Sequence, residues 1–160
     1  MLSLLAAALL AQPAPTISEA DLATVPLQLE ACVNYALGQR TAQEAHAFLV
    51  ERGFSNIPEG AELRAGRRRG SSDYYMTIFG RGSEGGEPRR VCTIFVSAWD
   101  HAAVDSYLSA HPFEVDGLVS VPGSRGVQYE RDGQPIIGIG LPRGDGTPAF
   151  FAVMQMTPGP

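Results

Sequence analysis

Residues 73–97 read DYYMTIFGRGSEGGEPRRVCTIFVS, two β-branched and aromatic runs at 73–79 and 90–97 on either side of a polar, glycine-rich stretch. Runs of this composition favour a pleated, half-buried surface, so both are expected to be strands. They pair as a hairpin with a mobile tip at 80–88. In the second run Cys92, Ile94 and Val96 share one face, while Val91, Thr93 and Phe95 share the other. Cys92 thus lies on a face apolar enough to be buried.

Three helices are expected around this hairpin. Leu29, Cys32, Val33, Ala36 and Leu37 recur at helical spacing over 26–37, with Pro26 suited to the first turn and Gly38 to the stop. Upstream, Ser18 and Asp21 start only a brief turn that Pro26 interrupts. A second helix opens on a Thr41/Glu44 capping box, buries Ala45, Phe48 and Leu49, and ends at Gly53 and Phe54 in a Schellman pattern. A third is capped by Asp100, buries Val104, Tyr107 and Leu108, and ends before Pro112.

Residues 55–72 read as loop, with Arg64 and the run Arg67, Arg68 and Arg69 facing solvent, and 113–124 as irregular. Beyond them, 127–131 and 135–141 flank Asp132-Gly133, the pair that supplies the two positive φ values of a type I′ turn. The last strand, AFFAVMQM at 149–156, is apolar on both faces and is therefore central or covered. The order is ααββαβββ. It argues for an α+β fold with a curved antiparallel sheet of about five strands and helices on one face. Gly138 and Gly140 on one strand face permit curvature or close approach of another backbone. By element order alone this resembles the cone-shaped NTF2-like architecture, which implies a pocket between sheet and helices.

The chain has 160 residues, 44% of them apolar and 18% charged, enough for one globular domain with a real core. All 12 basic residues are Arg, as a GC-rich genome would encode, and the formal charge of −5 argues against nucleic-acid binding, which needs a basic face. Residues 2–11, LSLLAAALLA, are an apolar run of secretory length, too short to span a bilayer. The organisation expected is a signal peptide at 1–11, a linker and short turn at 12–25, and one domain at 26–157, with no transmembrane segment in the mature chain. The run lacks a basic n-region, and Leu9 is large for a cleavage site after Ala11.

Cys32 and Cys92 are the only cysteines. In an oxidising compartment two cysteines in one small domain pair, so a Cys32–Cys92 disulfide is expected, tying the first helix to the sheet. A periplasmic or secreted location follows from leader and disulfide together.

Catalytic motifs are absent. His46, His101 and His111 have no partner at metal-ligand spacing, so neither metal nor cofactor is expected. His101 and Asp105, one helical turn apart, are the candidates for a general acid/base pair. Ser71, Ser72 and Ser97 lie in no nucleophile motif. The glycine-rich stretch at 80–88 precedes no helix that could receive a phosphate. Arg143-Gly144-Asp145 suits a turn. Trp99, just before the Asp100 cap, is the candidate for a binding residue at a cleft rim. The expected function is a non-enzymatic accessory or macromolecule-binding protein of the bacterial envelope, with a protein partner there. The alternative is a small-molecule-binding or hydrolytic protein with a pocket between sheet and helices.

Overall fold

A computed structural model describes residues 17–58, 60, 62–84, 87–123, 126–140 and 150–156. The leader expected at 1–11, the Gly85-Gly86 tip and the tripeptide at 143–145 lie outside these residues.

Helix α1 spans Glu19–Ala36 and α2 spans Ala42–Val50; strands β1 (Ser55–Asn56), β2 (Leu63–Arg68), β3 (Tyr74–Glu84) and β4 (Glu87–Val96) follow. After α3 (His101–Ala110) come β5 (Val119–Gly123), β6 (Gly126–Arg131), β7 (Gln134–Gly140) and β8 (Phe150–Gln155). The fold is α+β, with one open antiparallel sheet of eight strands in the order β1-β2-β3-β4-β8-β7-β6-β5. Five expected strands undercount it. The observed element order is ααββββαββββ, so the order on which the NTF2-like resemblance stands does not hold.

The added strands are the ones with weak local signals. In β2, Leu63 and Ala65 face the core, but Ala, Gly and three Arg in LRAGRR carry little β-propensity, so the segment reads as a charged loop. β5 is an edge strand with Pro122 and Gly123 at its end, and Val119 is 69% exposed. The expected loop at 80–88 is mostly strand: β3 continues to Glu84 and β4 begins at Glu87, with Glu84 opposite Glu87 in register.

α1 begins seven residues before Pro26, because Ser18 and Asp21 close a full capping box at its N-terminus. Pro26 then sits inside the helix. The carbonyl it leaves without an intrahelical donor belongs to Leu22, whose side chain is on the exposed face, where water can reach. The linker expected through residue 25 is therefore helix from Glu19 onward. At the other end Gly38, at φ +76°, donates to the Tyr35 carbonyl and Gln39 donates to that of Asn34, the two bonds of a Schellman stop.

α2 and α3 start where the sequence places them, on Thr41 and Asp100. The β6–β7 turn places Asp132 and Gly133 at φ +53° and +74°, the type I′ geometry their identities imply.

Register and burial assign the two faces of the sheet. Tyr75, Thr77 and Phe79 on β3 pair with Val96, Ile94 and Cys92 on β4; Ile94 and Cys92 pair with Phe151 and Val153 on β8, and Val153 with Ile139 on β7. All are buried. α1 lies on this face: Cys32 is bonded to Cys92, and the Tyr35 ring meets Phe79 edge-on at 5.6 Å. α3 lies on it too, since Trp99 contacts both Tyr107 of α3 and Phe151, at 5.0 and 6.5 Å between centroids. α2 packs beside α1 and against β2.

Candidate functional site

Among the described residues, the densest polar arrangement is built on Asp21, in the first turn of α1, whose side chain is fully buried. Arg69, just past the end of β2, approaches with its planar fork: Nε donates to Oδ1 at 2.6 Å and Nη2 to Oδ2 at 2.8 Å. The Tyr75 hydroxyl donates to Oδ1 at 2.8 Å, the Trp99 indole N–H to Oδ2 at 3.2 Å, and the Ser18 backbone N–H to Oδ2 at 2.9 Å. Five donors converge on two oxygens. Burial alone would raise the Asp21 carboxyl, but the Arg69 guanidinium and the bonds from Ser18 and Tyr75 outweigh it and hold the group well below the usual carboxylate range. Arg69 is correspondingly raised, chiefly by its bonds to Asp21.

All five donors are engaged on the Asp21 carboxylate, which stays ionised at neutral pH. The cluster joins α1, the β2–β3 turn, β3 and the β4–α3 junction. Arg69, expected to face solvent as part of the arginine run, is instead the half-buried counter-ion of Asp21. Trp99 is 5% exposed and held by Asp21.

The polar ties continue along the same side of α1. Gln28 Nε2 donates to Thr77 Oγ1 at 2.8 Å and to the Met76 carbonyl at 3.2 Å; Cys32 is bonded to Cys92; the Tyr35 hydroxyl donates to the Gly80 carbonyl at 2.7 Å. At successive turns the helix is thus fixed to β3 or β4 by a directional bond, which sets its register on the sheet where apolar contact alone would let it slide.

His101 is half-buried at the start of α3 and Asp105 is exposed; no hydrogen bond or ion pair links them. His46 Nε2 stands 3.1 Å from the Arg64 carbonyl, and the exposed His111 ring lies 5.1 Å from that of Tyr107. Among the described residues no group of three or more His, Cys, Asp or Glu is placed to hold a metal ion, and no helix is long and apolar enough to cross a membrane. A groove of about 240 Å³ lies between the C-terminal half of α1 and residues 113–116, lined by Val33, Leu37, Phe113 and Val115 together with Glu30, Glu114 and Asp116. Neither His101 nor Asp105 lines it.

Burial on the helix side, with the Asp21 carboxylate nearby, pushes the Tyr107 phenol up to about 12. A fold that favours the neutral phenol loses stability as pH rises from the ordinary tyrosine value of about 10 toward the folded value. Ultraviolet titration of the folded protein, differenced against Tyr107→Phe, is expected to show Tyr107 ionising only near 12; ionisation near 10 in the folded state would contradict this burial.

The other face of the sheet departs from the usual alternation of an antiparallel sheet, apolar inward and polar outward. Pointing away from the core are Met76 and Ile78 on β3, Val91, Thr93 and Phe95 on β4, and Phe150, Ala152 and Met154 on β8, all half-buried. None of their apolar side chains packs on the core cluster. Phe95 and Phe150 are cross-strand partners with ring centroids 5.1 Å apart, and Gly138 and Gly140 on β7 sit opposite Met154 and Ala152. Among the described residues, the helix contacts fall on the opposite face. This surface was legible in part, in the two-faced apolarity of 149–156 and the apolar alternation of 91–96.

No protein-family model, no curated protein and no solved structure matches this chain.

Proposed function

We propose that this chain is an exported, non-enzymatic binding protein of the bacterial envelope, presenting to a protein partner the face of its sheet on which no helix packs among the described residues. The observation that carries the reading is the run of apolar, uncharged side chains across three adjacent central strands, from Met76 and Ile78 through Phe95 to Phe150 and Met154. Apolar surface left in water is costly at about 25 cal/mol per Å², and contiguous patches of this kind mark interaction surfaces. The Cys32–Cys92 bond supports an oxidising compartment. Among the described residues, the groove beside α1 is lined by neither His101 nor Asp105.

A photo-reactive amino acid placed at Thr93, on the apolar face, is expected to form a protein adduct in bacteria exporting the chain, whereas the same group at exposed Ser71 forms none. No adduct at Thr93, or equal labelling at both positions, would overturn the reading.

A further inference from the structure

We infer that the groove between α1 and residues 113–116 is a binding site separate from the apolar sheet face. Its occupant is a basic peptide segment of a partner protein, with one arginine or lysine side chain lying along the groove.

Both walls of the groove are anchored. Glu30, Val33, Asn34 and Leu37 recur at helical spacing and give α1 one lining face. The same stretch of helix is tied to the sheet by the Cys32–Cys92 bond and by the Tyr35 hydroxyl on the Gly80 carbonyl. On the facing wall the Phe113 carbonyl accepts from the Tyr129 hydroxyl, and the Val115 carbonyl from the Leu118 N–H. Val33 is buried, and Leu37, Phe113 and Val115 pack in part on the core. The groove is therefore pre-formed, and an occupant need not order it first.

Charge selects the occupant's sign. Carboxylates stand on both walls, Glu30 on α1 and Glu114 and Asp116 opposite, and no basic residue lines the groove. Among the described residues Glu114 and Asp116 form no ion pair, and Glu30 meets only Arg40, at 4.0 Å. Arg131 lies close by, beside Gly117, but outside the lining. An anion is repelled here. A cation on an aliphatic stem suits both parts of the lining, its charge facing the carboxylates and its methylenes the apolar side chains.

Size and polarity favour a peptide over a free amine. At about 240 Å³ the groove falls below the roughly 300–1,000 Å³ of small-molecule and cofactor sites, so it takes one long side chain. A single cation neutralises one of the three carboxylates, and neighbouring basic residues of a peptide can reach the others. The Asn34 and Gln39 amides, which also line the groove, both donate and accept, as the main chain of a peptide requires.

Fluorescence anisotropy of a dye-labelled hexapeptide of alternating Leu and Arg, with the full oxidised chain, is expected to give a dissociation constant of about 100 µM or below. Glu114→Gln with Asp116→Asn, both at exposed positions, should weaken binding at least ~10-fold. Glu19→Gln with Glu51→Gln removes the same two charges from exposed positions outside the lining and should leave binding unchanged, which separates the groove from the general pull of a chain at −5. Thr93→Lys on the sheet face should also leave it unchanged, so the two surfaces stand or fall separately. Replacing each Arg of the peptide by diaminopropionate keeps the charge, removes the stem and should cost at least ~10-fold. No binding by the parent up to about 1 mM overturns the site, as does equal weakening by the two pairs of carboxylate variants. Spermidine that binds as tightly as the hexapeptide, and loses affinity with Glu114→Gln and Asp116→Asn, assigns the groove to free amines and overturns the peptide.

Discussion

Replacing Asp21 by Ala is expected to lower the unfolding free energy at neutral pH by about 3–5 kcal/mol, read from urea denaturation. Asp21 is fully buried and takes both donors of the Arg69 fork together with those of Tyr75, Trp99 and Ser18. Removing it leaves the Arg69 guanidinium with only the more distant Asp73 carboxylate, 3.6 Å away, and leaves an indole N–H and a phenol without the carboxylate they donate to. The loss is therefore more than the net value of an ion pair, since uncompensated partners must be desolvated or drawn back to water. Out of a total of about 5–15 kcal/mol for a domain of this kind, that is a large fraction. Asp21→Asn keeps the shape and loses the charge, and should fall between parent and Ala. A change below about 1 kcal/mol for Asp21→Ala would show the cluster to be energetically idle.

The pH dependence separates the two halves of the pair. Asp21 is held below its ordinary value in the folded protein, so its contribution is fully present above about 4 and fades only as pH falls through the lower folded value. Arg69→Met reverses the sign. It leaves the carboxylate buried without its cation, which raises the folded pKa above the unfolded one, so this variant is penalised at neutral pH and partly relieved below about 4. The stability gap between parent and Arg69→Met should narrow on acidification; a gap that widens would contradict the assignment of Arg69 as the counter-ion.

That pair also shows where sequence reading stops. The capping box of Ser18 and Asp21 is local, spaced three residues apart, and visible in the sequence; the Arg69 bond to the same carboxylate spans 48 residues and leaves no periodic trace. The features that were legible are local in the same sense: the Thr41 and Asp100 caps, the Gly53 stop and the Asp132-Gly133 turn each depend on backbone needs within a few residues. The disulfide was also within reach, because a helical period placed Cys32 on an apolar face and a strand period did the same for Cys92. β2 was hidden for the opposite reason. Its pairing with β3 is decided by tertiary context, while Ala65, Gly66 and three arginines argue locally for a loop. Pro26 misled in one direction only: it can start a helix, but a capping box that opens eight residues upstream with solvent beside the freed carbonyl lets it sit inside one.

Removing the Cys32–Cys92 bond, by Cys32→Ala with Cys92→Ala, is expected to cost about 4 kcal/mol, since the bond closes a loop of 60 residues in the unfolded chain. Both cysteines are fully buried and their Cα atoms stand 5.3 Å apart, a separation a disulfide spans without moving the backbone. The bond acts on the unfolded ensemble and the Asp21 cluster on the folded one, and they hold α1 at points three turns apart, so their losses should add to about 7–9 kcal/mol. Such a sum reaches the full stability of an ordinary domain. The variant lacking both ties is therefore expected to be unfolded at 37 °C as judged by lost near-ultraviolet dichroism of Trp99, while each parent variant remains folded. The opposite result, a combined variant no weaker than the cysteine variant alone, would mean that α1 detaches as soon as the disulfide is gone and that the Asp21 cluster depends on the bond for its geometry. Amide exchange decides between them: with additive ties, the α1 amides of the cysteine variant around Asp21 stay protected when those near Cys32 and Tyr35 open.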